Sequence, residues 1–181
     1  MPPAALQDRE TLIAQLRKRG IDYLAPSDAV SEVDLDDSTL LASLASQDDP
    51  RVRQALVALF LVHPGLSRWV PLLRTTLDPG ARLNLEAYFL AAIYLQEMWW
   101  YRISRYLPHT ERLPDDLCHE LSLPGRKELH GKMGLHALAD WHSSQSARRA
   151  NRLSEYQGAA ELVLESLKLK RRRNELETKR R

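Results

Sequence analysis

The chain has 181 residues, of which 44% are hydrophobic and 28% charged, enough apolar side chain for a buried core and too much for a disordered polymer. Its single cysteine, Cys118, excludes an internal disulfide framework and any zinc site built from several thiolates, and fits a reducing, cytoplasmic setting. The net charge of +2 is an average: residues 1–50 hold 10 acids and 4 bases, residues 51–145 hold 9 and 11, and residues 146–181 hold 5 and 11, so the two ends carry opposite fields.

Hydrophobic spacing is helical from end to end, and no segment alternates as a strand does, so the expected class is all-α. The opening Met1–Glu10 lacks the basic and apolar regions of a secretory signal. A first helix is expected over Gln7–Arg19, stopped by Gly20, followed by an acidic linker, 21–37, that contains Pro26. Ser38 is a candidate cap for a second helix over Thr39–Ser46, and Asp49 with Pro50 opens a third.

Asp49-Pro50-Arg51-Val52-Arg53-Gln54-Ala55-Leu56-Val57-Ala58-Leu59 resembles the opening of the second-helix half of a HEAT-type repeat. That family uses an Asp-Pro turn, a Val-Arg pair and small residues to bring neighbouring helices close. The resemblance covers residues 39–63; no second copy recurs at a period of about 40, so it implies one helical hairpin.

Pro64-Gly65 and Asp78-Pro79-Gly80 bracket a short helix over Leu66–Leu77. From Ala81 to Leu107 the chain reads as one helix, apolar on nearly every side, and this central helix is the expected hub of a compact multi-helix bundle. Its most apolar window, Ala87–Tyr101, already contains Gln96 and Glu97, short of the ~20 apolar residues of a bilayer span, so no membrane partner is expected. Pro108, Pro114 and Pro124 punctuate a region with one short helix, Asp115–Leu121, before a helix over Arg126–His142 and a long basic helix from Ser146 onward. The division expected is a helical core domain, 1–145, holding the HEAT-like hairpin, and a C-terminal basic helix, 146–181.

Chemistry-bearing motifs are absent from the pattern. His130, His136 and His142 are six residues apart, so successive rings point about 120° apart and cannot share one ion on one helix. The glycines form no phosphate-cradling loop, and Gly131-Lys132-Met133-Gly134, although of the Gly-x-x-Gly form of a KH-type RNA clamp, has no sheet beside it. No cofactor, metal or catalytic residue is expected, and an enzyme is not the expected class.

Two features point to binding. In Met98-Trp99-Trp100-Tyr101-Arg102-Ile103-Ser104-Arg105-Tyr106, adjacent rings point about 100° apart on a helix, so one of Trp99 and Trp100 is a candidate partner anchor beside Arg102 and Arg105. A helix buried all round would instead take both rings into the core. On the last helix, Leu153, Tyr156, Ala160, Val163 and Leu167 step by three and four, a short heptad seam suited to a partner helix. The expected function is therefore a non-enzymatic subunit or adaptor that binds another protein. The alternative is a nucleic-acid-binding regulator using Arg148, Arg149, Arg152, Lys168, Lys170, Arg171, Arg172 and Arg173, with Glu177 spaced to pair with Arg173. A toxin–antitoxin or defence component is compatible with either, and self-association through the oppositely charged ends stands as a further alternative.

Overall fold

Asp8 accepts the Thr11 N–H at 2.8 Å and so caps α1, Arg9–Lys18. Gly20 ends it in the left-handed region, with φ +83. The structure is a computed structural model and describes residues 7–24, 34–146 and 150–178. The expected linker is described only in part.

The cap expected at Ser38 falls on Asp36, whose carboxylate accepts the Thr39 N–H at 3.0 Å and the hydroxyls of Ser38 and Thr39, each at 2.7 Å. Hydrogen bonds from the Ser38 and Thr39 side chains hold this carboxyl down to about 2. Helix α2, Asp37–Ala45, therefore starts two residues early. Asp49 and Pro50 open α3, Pro50–Arg53, as expected, with the Arg51 N–H on Asp49 at 2.9 Å. The chain then turns at Gln54 into α4, Ala55–Val62, of which Ala55 through Leu61 are buried on every side. The structure gives no evidence of a HEAT repeat array among the described residues.

The helix expected over Leu66–Leu77 is instead a 3₁₀ turn, Pro64–Trp69, running into α5, Val70–Thr76, because Pro71 has no N–H to continue an α pattern across the junction. Asp78-Pro79-Gly80, expected as a break, is the N-terminus of α6, Pro79–Met98: Asp78 caps the N–H groups of Gly80 and Ala81 and Pro79 sits in the first turn. The expected single helix to Leu107 is broken at Trp99, whose φ −116 and ψ 24 are not helical, and α7, Trp100–Tyr106, follows it.

Helix α6 is the hub. Residues Leu85 through Gln96 are all buried, and α2, α4, α5, α9 and α10 pack around it. Phe60 of α4 meets Phe89 edge-on with centroids 4.9 Å apart. After α8, Asp116–Glu120, the helix expected from Arg126 begins only at Lys132, because Leu129, His130 and Gly131 stand consecutively at positive φ. Helix α9, Lys132–Gln145, then crosses α6 at the Gly-x-x-Gly segment. A Cβ on Gly131 would lie 2.6 Å from the Tyr94 carbonyl oxygen, and one on Gly134 would lie 2.0 Å from the Tyr94 ring. Those glycines are a steric allowance for close helix packing, not a nucleic-acid clamp.

The last helix, α10, Arg152–Thr178, starts six residues later than expected. Tyr156, Ala159, Ala160, Val163 and Leu164 belong to the same core cluster as α4 and α6, so the first turns of α10 complete the body rather than stand apart from it. No strand occurs among the described residues, and no single helix among them is long and apolar enough to cross a membrane. The fold is an all-α bundle.

Candidate macromolecule-binding surface

The heptad seam expected to meet a partner helix is covered by the chain's own helices. Tyr156 and Ala160 are 0% exposed, Val163 is 1% exposed, and Leu153 and Leu167 are partly buried against the core. Spacing by three and four marks a buried helix face and carries no information about which chain covers it.

A polar network beneath α10, absent from any sequence motif, holds that helix in place. The Tyr88 hydroxyl of α6 donates to Glu155, whose other oxygen accepts from Arg152 at 2.9 Å. Arg152 also donates to Ser146 at 3.2 Å, and Arg53 of α3 reaches Tyr88 at 3.5 Å and the Gln47 carbonyl at 2.7 Å. The His142 Nδ1 and the Tyr156 hydroxyl share a hydrogen bond of 2.5 Å, their rings stacked at 11°, with Tyr88 edge-on to both. Burial, and then the guanidinium groups of Arg152 and Arg53, push His142 down to about 3. Burial raises Tyr88 and Tyr156, with the Glu155 carboxylate adding to the effect on Tyr88. Arg152, expected as a phosphate contact, is thus 7% exposed and committed to an internal ion pair.

The charged ends of the chain do meet. Lys170 donates to the Gly20 carbonyl at 2.7 Å and pairs with Asp22 at 3.1 Å, and Ser166 donates to the same carboxylate at 2.5 Å. Burial raises the Asp22 carboxyl, but the Ser166 hydroxyl and the Lys170 ammonium outweigh it and bring it below the usual value. Lys170 therefore belongs to a clasp between α10 and the loop after α1.

Trp99 and Trp100 are both half-buried, and each ring is roofed by a cation. The Arg102 guanidinium sits 4.9 Å from the Trp99 centroid and that of Arg112 sits 3.9 Å from Trp100. Arg112 also pairs with Glu97, which Arg126 approaches at 3.6 Å. These rings lie at the end of α6; the exposed aromatic of the segment is Tyr101, at 89%.

Arg148 and Arg149 lie outside the described residues. Lys168 pairs with Glu165 at 3.3 Å, and Arg171 pairs with Glu175 at 2.9 Å. The pair expected between Arg173 and Glu177 does not form among the described residues; Arg105, Arg172 and Arg173 take part in no described ion pair. Arg105 and Tyr106 of α7 and Lys168, Arg171, Arg172 and Glu175 of α10 line one depression of about 270 Å³. A neighbouring trough of about 780 Å³ runs between the same helices from Leu167 to Thr178, with Pro108 on its far wall.

A stripe missed by the seam argument lies on the far side of α10. Leu162, Leu169 and Leu176 are 48%, 62% and 61% exposed and are spaced by seven residues. Seven residues turn a helix by about 700°, so the three point in nearly one direction over about 21 Å. The signal was present in the sequence, in the same helix as the buried seam.

Cys118 is buried and burial pushes its thiol up, the opposite of an activated thiolate. No group of three or more His, Cys, Asp and Glu side chains is placed to hold a metal among the described residues. Fold and surface together define a class: a helical bundle whose last helix is half core and half exposed, with an apolar stripe and a cationic trough on different sides. No protein-family model, curated protein or solved structure matches the chain.

Proposed function

We propose that the protein is a non-catalytic binding subunit that docks a helix of a different polypeptide on the exposed stripe of α10. The observation that carries this is the set of three leucines, Leu162, Leu169 and Leu176, each roughly half or more exposed at heptad spacing on a helix already anchored to its own body. Anchoring matters, because a helix held rigid by the Tyr88–Glu155–Arg152 network loses little entropy when a partner packs on it.

Charge argues for a different chain over a second copy packed in parallel. Glu165 and Arg172 follow Leu162 and Leu169 by three residues, so a parallel pairing of two copies would set Glu165 against Glu165 and Arg172 against Arg172. A partner helix with its own leucine repeat and an acidic residue opposite Arg173 meets neither conflict.

The test compares the protein with a Leu169→Asp/Leu176→Asp double variant, purified from the native source and sized by light scattering. Both sites are exposed, so the variant keeps its helical circular dichroism. The expected result is a stoichiometric second polypeptide with the unaltered protein and its loss from the variant. Retention of that polypeptide by the variant, or a leucine-dependent homodimer in its place, overturns the proposal.

A further inference from the structure

Independently of the leucine stripe, we infer that the trough between α7 and α10 binds single-stranded nucleic acid, holding its phosphates with Arg105, Lys168, Arg171 and Arg172 and stacking a base on Tyr101. The cations come from two helices pinned to each other, since Arg171 donates to the Arg105 carbonyl at 3.2 Å. Four cations and one carboxylate line a depression of about 270 Å³, and that carboxylate, Glu175, is already held by Arg171 at 2.9 Å. Lys168 is partly offset by Glu165, whereas Arg105 and Arg172 have no described acidic partner. Convergent like charges repel, and an oxyanion placed among them turns that repulsion into attraction.

The shape favours a strand. The depression shares Arg105, Tyr106, Arg171 and Glu175 with the adjoining trough of about 780 Å³, so a chain of phosphates leaving the cationic end has a continuous path along α10 toward Thr178. Tyr106 lines both depressions. Tyr101 lies one turn before Arg105 on the same face of α7 and, at 89% exposure, presents its ring to solvent with nothing packed over it. Aromatic faces interleaved with arginines beside a basic trough are what unstacked bases require. A duplex offers its bases edge-on in its grooves and leaves no free face for Tyr101.

This surface is centred apart from the leucine stripe: Lys168, Arg171, Arg172 and Glu175 centre about 110° around α10 from Leu162, Leu169 and Leu176, with Arg172 the member nearest the stripe.

The experiment is fluorescence anisotropy of the full chain with a labelled oligothymidine of ~15 nucleotides at salt between ~50 and ~200 mM, where phosphate contacts make binding fall steeply. Arg105→Glu/Arg172→Glu is expected to weaken binding at least tenfold, and Tyr101→Ala about fivefold or more, as loss of one stacked base does. Leu162→Asp, on the leucine stripe ten residues before Arg172, retains binding, which separates failure here from failure of the helix-docking proposal. All these positions are exposed, and circular dichroism confirms that the variants fold. Absence of binding at ~50 mM salt overturns the inference. So does an unchanged affinity for Tyr101→Ala, equal competition by polyglutamate, or tighter binding of the corresponding duplex.

Discussion

Lowering the pH from 7 to 5 should weaken this fold through one residue. His142 is 0% exposed, its Nδ1 is engaged by the Tyr156 hydroxyl at 2.5 Å, and its Nε2 has no hydrogen-bond partner. Around it stand Tyr88 from α6, Arg53 from α3, and Arg152, Glu155 and Tyr156 from α10. Burial and the two guanidinium groups bring it down to about 3, whereas in the unfolded chain an imidazole titrates near ~6.5. The native state thus refuses a proton that the unfolded state accepts, so stability is full above ~6.5 and falls as the pH drops toward the native value. At about 1.4 kcal/mol per pH unit below ~6.5, the loss by pH 5 is about 2 kcal/mol. With a urea slope of about 2 kcal/mol per molar, the unfolding midpoint should fall by about 1 M. Asp22, Asp36 and Asp49, all held below the usual carboxylate range, titrate outside this window. Urea titrations followed by circular dichroism at pH 7, 6 and 5 read the slope directly, and a His142→Asn variant, whatever its absolute stability, should lose it. A midpoint that does not move between pH 7 and 5, or a variant with the same slope, would refute the argument.

Two further outcomes can be stated. Gly134→Ala drives a methyl into the Tyr94 ring, where the open distance is only 2.0 Å, and should cost about 1–3 kcal/mol as an overpacked core does, seen as a lower thermal midpoint, while Gly158→Ala, with open space around it, should not. Asp36→Ala removes the cap of α2 and should cost about 1 kcal/mol at neutral pH; since its native carboxyl is held at about 2, that difference should fade as the pH falls from about 4 toward 2.

The all-α class was legible because apolar periodicity is a property of each segment alone. The Asp49-Pro50 helix start and the Gly20 stop were legible for the same reason. The break at Trp99 was not, since Met98-Trp99-Trp100 contains neither glycine nor proline to mark it. Arg152 and Glu155 are an i,i+3 pair on one helix, but the burial of that pair beside Tyr88, 64 positions from Arg152, is set by the fold, so Arg152 looked like a free cation. The groove between α7 and α10 is equally invisible in one dimension: Arg105 and Arg171 are 66 residues apart, and only the fold makes them neighbours.

The way α10 closes the body sets an order in time. Its contacts to Tyr88 and to Gly20 span 67 and 150 residues, loops whose closure is slow compared with forming any single helix. Until residues 152–167 exist and dock, the α4 and α6 surfaces beneath Tyr156 and Val163 remain uncovered, and the core the other helices have begun stays open. The helix that carries the leucine stripe is thus also one that covers the core, so the stripe stands in its described place only when that part of the core is closed.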